Sequence, residues 1–141
     1  MAFEKFNIFT SDRLLAVHDF SAHTLKAFLA TTVADPAADA VRADLTEIAN
    51  GNGYTTGGVA LTNLSYVNTG GTILFTCDPI TFTASGGTMA SFRSMCIYND
   101  TTSAKTDPLI FCENFDVGIS LASGEFITRT PNASTGIFQM S

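Results

Sequence analysis

Two histidines and two aspartates near the N-terminus are the first residues whose types could do chemistry. His18 and His23 lie close in sequence to Asp12 and Asp19, a combination that could bind a metal ion or form a His–Asp proton relay. A spacing of five residues does not place both imidazoles on one face of a helix or a strand. The sequence therefore favours solvated or packed histidines over a functional site.

Four carboxylates further along the chain could supply oxygen ligands for calcium. Asp100, Asp107, Glu113 and Asp116 lie in or near the segment PLIFCENFD, and a hard cation requires several carboxylates from one loop. The alternation of an EF-hand loop is absent from this segment. No metal site is therefore predicted.

Nucleophilic side chains give no catalytic pattern either. Serines are common, but none occupies a G-x-S-x-G turn. Cys77, Cys96 and Cys112 are odd in number and include no C-x-x-C pair, so we expect free, buried thiols. The sequence predicts no catalytic residue, no cofactor and no enzyme.

The glycine-rich stretch DLTEIANGNGYTTGGVAL, residues 44–61, is the strongest local signal. A phosphate-binding loop would need a following helix and, in nucleotide hydrolases, a Lys next to Ser or Thr. Here a strand-like run follows and no Lys is present. We therefore predict a structural turn between two apolar elements, made by Gly51, Gly53, Tyr54, Gly57 and Gly58.

The overall composition limits the function further. With 141 residues the chain fits one domain, and its charged fraction of 14% is low against about 25% in an average globular chain. A net charge of −6 argues against nucleic-acid binding. The sequence contains no run of about eighteen apolar residues, so no membrane span is predicted. The N-terminus does not resemble a secretory signal. We expect synthesis in a host cytoplasm and an oligomer or docked subunit.

Most of the chain consists of short β-like runs separated by turn residues. Asp35-Pro36 followed by apolar residues at positions 41, 45 and 48 predicts one short helix over 36–49, although residues 46–49 could also begin a strand. The short loops require antiparallel neighbours. The prediction is a mainly-β, single-domain antiparallel β-sandwich or jelly roll at 23–141, with strands at 23–31, 59–67, 72–77, 80–84, 91–99, 108–113, 117–121, 125–130 and 136–140.

Residues 1–22 follow neither the helical nor the strand period for long. They predict an N-terminal arm or an edge strand. Their apolar side chains are too many to leave in water, so we expect them to contact a partner. These candidate partner contacts are Phe3, Phe6, Ile8, Phe9, Leu14 and Leu15.

Several motifs together resemble a family of small structural proteins of tailed-phage virions. The family pattern runs from a strand with T-L-K-x-x-L to D-L-T-E-I-A-x-G-N-G-Y-T-x-G-G, then to a T-F-T-A-x-G-G hairpin and a Y-N-D turn. The corresponding segments here are HTLKAFLATTVA, DLTEIANGNGYTTGGVAL, ITFTASGG, SFRSMCIYND, DPLIFCENF and SLASGEFITRT. The resemblance covers residues 23–130.

The resemblance implies a head decoration (cement) protein on the outside of the virion head. Its implied partners are the major capsid protein and neighbouring copies of itself, in a homo-oligomer for which a trimer is one option. From charge and hydropathy we expect no nucleic-acid or membrane partner. The alternative structural role is a component of the tail or baseplate. The alternative from another functional class is a carbohydrate- or receptor-binding module.

Overall fold

The computed structural model describes residues 3–101, 104–132 and 136–140 and contains ten strands, one α-helix and one 3-10 turn in this part of the chain. The N-terminal elements are β1 (Glu4–Lys5), α1 (Asn7–Leu14), β2 (Leu25–Ala30), the 3-10 turn (Arg42–Asp44) and β3 (Val59–Ala60). The remaining strands are β4 (Ser65–Thr69), β5 (Thr72–Thr76), β6 (Ile80–Thr83), β7 (Met89–Asn99), β8 (Leu109–Leu121), β9 (Phe126–Arg129) and β10 (Phe138–Met140).

The strands form three antiparallel sheets. The five-stranded sheet has the order β1-β8-β7-β2-β3, the three-stranded sheet β10-β5-β4, and the two-stranded sheet β6-β9. All the pairings between these strands are antiparallel. The prediction of a mainly-β, antiparallel, single-domain fold is confirmed. The chain has one short helix in its described part, but at residues 7–14 and not where it was predicted.

The main core lies between the five-stranded sheet and the two smaller sheets. Leu25, Ala27 and Leu29 on one face of β2 share a buried cluster with Phe75 of β5 and Phe82 of β6. The opposite face of the large sheet is buried as well, in a second cluster that includes Phe6, Phe28, Leu45, Cys96 and Tyr98. Burial on both faces explains why β2, residues 95–98 of β7 and residues 109–112 of β8 are apolar almost throughout.

The helix predicted over residues 36–49 is wrong. Asp35 caps a single turn, in which its carboxylate accepts from the Ala37 N–H and its carbonyl from the Asp39 N–H. The turn does not continue as a helix, because the Asp44 carboxylate accepts from the backbone N–H groups of Ala40 and Val41, which would otherwise be helical donors. Glu47, which lies in the predicted helix, instead forms an antiparallel β-bridge with Ala30 of β2.

Two predicted strand boundaries also change. The runs predicted at 108–113 and 117–121 are one continuous strand, β8, which pairs with β7 over most of its length. The run predicted at 59–67 is divided into β3 and β4. Asn63, with a φ of 51°, turns the chain between them.

The N-terminal segment belongs to the core. Glu4 and Lys5 add an edge strand to β8, and the rings of Phe3, Phe6 and Phe9 are at most 5% exposed. The expectation that these three rings contact a partner is therefore wrong, because the chain's own sheets cover them. Of the other candidate contacts, Ile8 is partly buried, whereas Leu14 and Leu15 are exposed.

The burial of this segment predicts that two substitutions within it will differ strongly in their effect on stability. Phe6→Ala should lower the free energy of unfolding by about 3–5 kcal/mol, because it opens a cavity in the second cluster. Leu14→Ala should change it by no more than about 0.5 kcal/mol, because that side chain is 80% exposed. Urea denaturation of both variants measures the difference. A fully stable Phe6→Ala protein would show that the segment is a detachable arm.

Candidate functional site

The glycine-rich loop is a tight turn held against β2. Gly51 and Tyr54 exchange two backbone hydrogen bonds, of 2.9 and 3.0 Å. All four predicted glycines have positive φ, and a Cβ at Gly58 would lie 1.8 Å from the carbonyl oxygen of Ala27. Only glycine allows this approach, so the turn fixes how closely the loop packs on the sheet.

One carboxylate organises this loop. Glu47 accepts hydrogen bonds from the Tyr54 hydroxyl at 2.5 Å, from the Gly57 backbone N–H at 2.6 Å and from Arg42 Nη1 at 3.1 Å. The Tyr54 oxygen in turn accepts from the Leu29 backbone N–H at 3.3 Å. Burial, together with the bond to Glu47, raises the pKa of Tyr54, so this hydroxyl remains a donor.

Arg42 extends the same network to β7. Its guanidinium lies 5.0 Å from the centre of the Tyr98 ring, and its Nε donates to Asp107 at 3.1 Å. The Tyr98 hydroxyl donates to the carbonyl of Gly57 at 2.9 Å. Tyr54 and Gly57, two of the loop residues that the sequence singled out, thus belong to a structural network, and Glu47 and Arg42, which sequence reasoning missed, complete it.

The two histidines meet at a single amide. Asn99 Nδ2 lies 3.1 Å from His18 Nδ1 and 2.9 Å from His23 Nδ1. The backbone N–H of Thr101 donates to Asn99 Oδ1, which assigns the amide orientation and makes both Nδ1 atoms acceptors. The turn between the histidines brings together two side chains that the sequence spacing had placed on different faces.

The geometry does not form a His–Asp relay. The buried Asp12 pairs with Lys105 at 2.8 Å, and Asp19 Oδ1 accepts from both the backbone and the hydroxyl of Ser21. Burial lowers the pKa of His18 to about 4, against a smaller opposing effect of Asp12. His18 is therefore neutral near pH 7, and its buried Nε2 has no hydrogen-bond partner among the described residues.

The other candidate ligands are also engaged in structural contacts. Within the described ranges, no three His, Cys, Asp or Glu side chains are grouped closely enough to hold a metal ion. Cys96 and Cys112 are free, buried thiols opposite each other in β7 and β8, and Cys77 is a partly buried free thiol. Three of the four carboxylates considered for calcium are in ion pairs: Lys26–Asp100 at 2.8 Å, Arg42–Asp107 at 3.1 Å and Arg129–Glu113 at 2.6 Å.

An aromatic cleft of about 300 Å³ is lined mainly by apolar side chains. It lies where the N-terminal segment, β4, β5 and β8 meet. Neighbouring aromatic rings form a row along the cleft, with centroid distances of 5.8 Å for Phe9–Phe20 and 5.4 Å for Phe20–Phe75. The lining residues are Phe9, Arg13, His18, Asp19, Phe20, Tyr66, Ile73, Phe75 and Phe111.

The cleft could not be recognised from local sequence. Its residues come from four separate segments, and each apolar residue taken alone fits a strand or the N-terminal segment. Tyr66 is the most accessible ring, with 52% of its side chain exposed. A cleft of this size and composition can receive a small apolar or aromatic group.

Seven large apolar side chains of the described residues are exposed to solvent, one of them the Tyr66 ring of the cleft. Leu14 and Leu15 are 80% and 73% exposed at the end of α1, next to Arg13 of the cleft. The others are Val33, Tyr66, Val67, Val117 and Phe126. Adjacent exposed leucines are a feature of surfaces that bind other proteins.

Comparisons of this chain with protein-family models, curated proteins and solved structures found no match. Among the described residues, no helix has the length and apolar character needed to cross a membrane.

The environment of His18 predicts a stability that depends on pH. The pKa of His18 is about 4 in the folded chain, whereas a histidine in an unfolded chain keeps its ordinary pKa of 6.5. The unfolded state therefore takes up a proton first, and stability falls as the pH decreases from about 6.5 towards 4. Because the ring is only half-buried, we expect a loss of about 1–2 kcal/mol between pH 7.5 and 5.

The control is His18→Gln, whose side-chain oxygen can still accept from Asn99 but does not titrate. Urea denaturation at a series of pH values should give a flatter profile for the variant, since all other groups are shared. Identical pH profiles would contradict the assignment.

Proposed function

We propose that this chain is a non-enzymatic structural protein of a tailed-phage virion, a decoration protein that binds the outside of the major capsid protein shell and stabilises it. The resemblance of residues 23–130 supports this proposal. The physical character of the domain agrees with it, since a subunit that contributes contact area needs a rigid scaffold and an apolar surface.

The exposed leucine pair at the end of α1 is the observation that carries the proposal. Leu14 and Leu15 are adjacent, and both side chains are more than two-thirds exposed. Covering a leucine side chain contributes about 1.5–3 kcal/mol. The helix that presents the pair is anchored by the buried ring of Phe9 and the Asp12–Lys105 ion pair. A fixed apolar projection of this kind suits docking on a preformed shell.

The aromatic cleft favours a second candidate, a receptor- or carbohydrate-binding module. Exposed rings such as Tyr66 can stack on a ligand, and His18, Asp19 and Arg13 supply polar groups beside them. Most of the lining is apolar, however, which suits a protein side chain better than a hydroxyl-rich sugar. A tail or baseplate location would use the same contact surfaces at a different place in the virion.

Electron microscopy of purified virions is the direct test of location. The proposal expects added density of this domain on the head shell. Density confined to the tail would favour the tail component, and absence from the particle would reject both structural roles.

A pair of double variants tests the contact surface. Leu14→Ser with Leu15→Ser should weaken binding to undecorated shells by at least about tenfold, because each buried leucine contributes more than about 1 kcal/mol. Val117→Ser with Phe126→Ser removes two other exposed side chains and should leave binding nearly unchanged. Co-sedimentation with shells measures both, after melting curves confirm that the variants are folded. Equal binding by the leucine variant and the unmodified chain would reject this surface.

A further inference from the structure

Strand β4 is an open edge of the three-stranded sheet. It pairs with β5 on one side, and the sheet order places no strand on its other side within the described part of the chain. All five of its residues, Ser65–Thr69, are exposed. An edge strand presents unpaired N–H and C=O groups that can pair with another strand.

The hairpin geometry identifies which backbone groups point outward. Gly70 and Gly71, with φ of 60° and 88°, form a two-residue turn between the paired Thr69 and Thr72. In such a hairpin the residues next to the turn exchange both hydrogen bonds, and alternate residues do so along the strand. Ser65, Val67 and Thr69 therefore bond to β5.

Tyr66 and Asn68 are left facing away from β5. Each has an N–H and a C=O directed to the open edge, which gives four backbone groups in an alternating donor and acceptor pattern. No backbone hydrogen bond outside the sheet pairings involves either residue in the described part of the chain. The Asn68 side chain is turned back to the hairpin, where its Oδ1 accepts from the Gly71 N–H at 3.0 Å.

The edge lacks the features that normally protect an edge strand. Charged side chains, proline and bulges discourage pairing. Strand β4 contains no charged residue or proline, and its pairing with β5 runs without a register shift. No charged residue occurs between Glu47 and Asp78. By contrast, the edge strand β1 is only two residues long, and both are charged.

We propose that β4 is a self-association edge that pairs antiparallel with β4 of a second copy, around a twofold axis at Val67. This register places Tyr66 opposite Asn68 of the partner subunit, and both residues present outward backbone groups. Two such pairs give four backbone hydrogen bonds. Val67 then faces Val67 of the partner subunit in a pair without backbone hydrogen bonds, where side chains approach most closely.

The chemistry of the edge favours a second copy over a charged partner strand. Each copy carries a net charge of −6, so two copies associate best through a surface without charges. The resulting dimer would contain a continuous sheet of six strands, β10-β5-β4 from each copy. This inference does not depend on the proposed function, because it can be tested in solution without a virion.

Sedimentation velocity at increasing protein concentration tests the proposal. The unmodified chain should approach the mass of a dimer, and Val67→Lys should remain a monomer, because two ammonium groups would face each other at the axis. Val117→Lys is the matched control, since Val117 is an exposed strand valine on β8. It should dimerise like the unmodified chain.

A covalent trap tests the register. Val67→Cys should give a disulfide-linked dimer on mild oxidation with an unchanged circular dichroism spectrum, since facing residues without backbone hydrogen bonds lie about 4.5 Å apart at Cα, within disulfide range. Val117→Cys should not. The proposal is overturned by an unmodified chain that stays monomeric, by a trimer, by a Val67→Lys variant that dimerises normally, or by equal trapping of both cysteine variants.

Discussion

The carboxylate of Glu47 is the interaction on which the arrangement of this domain depends. A carboxylate with little access to water is stable only when its oxygens are hydrogen-bonded or paired with a cation. Glu47 has both, through Tyr54, Gly57 and Arg42. Each donor comes from a different point of the segment between β2 and β3, so one side chain fixes the path of that whole segment.

The glycine loop packs on β2 because the Glu47 hydrogen bonds and the glycine backbone conformations both place the loop against this strand. Gly58 allows contact with Ala27, while Tyr54 reaches Leu29 on the same strand. Tyr98 brings β7 into the network through its bond to Gly57. The outcome is a central sheet covered on both faces. The leucine pair, the aromatic cleft and the open edge of β4 lie on the surface around it.

The sequence predicted most strands and the glycine turn because their signals are local. Runs of β-branched and aromatic residues specify strands, and glycines specify positive φ. The helix at 36–49 failed because the Asp44 carboxylate bonds to the backbone N–H groups of Ala40 and Val41, a choice that periodicity does not reveal. The real helix, α1, has a weak pattern, and only Phe9 and Asp12 of it are buried.

The site features were harder to predict because they depend on long-range contacts. The histidine pair requires Asn99, more than seventy residues away, and the cleft combines four segments. The ion pairs of Glu47 with Arg42 and of Asp12 with Lys105 likewise could be identified only from the structure. The residue types and their spacing argued against some kinds of functional site. They could not show which surfaces the strands leave exposed.

Native-state hydrogen exchange in Glu47→Gln tests the central role of this carboxylate most directly. An amide offers one acceptor oxygen, and its NH₂ group would oppose Arg42, so the variant should lose about 2–4 kcal/mol of stability. The Gly57 and Leu29 amides should exchange faster relative to the Ile97 amide of β7. Glu125→Gln, at an exposed turn where the carboxylate accepts one bond from Ala122, is the control and should change neither quantity. Unchanged stability and unchanged Gly57 exchange in Glu47→Gln would contradict the central role of this carboxylate.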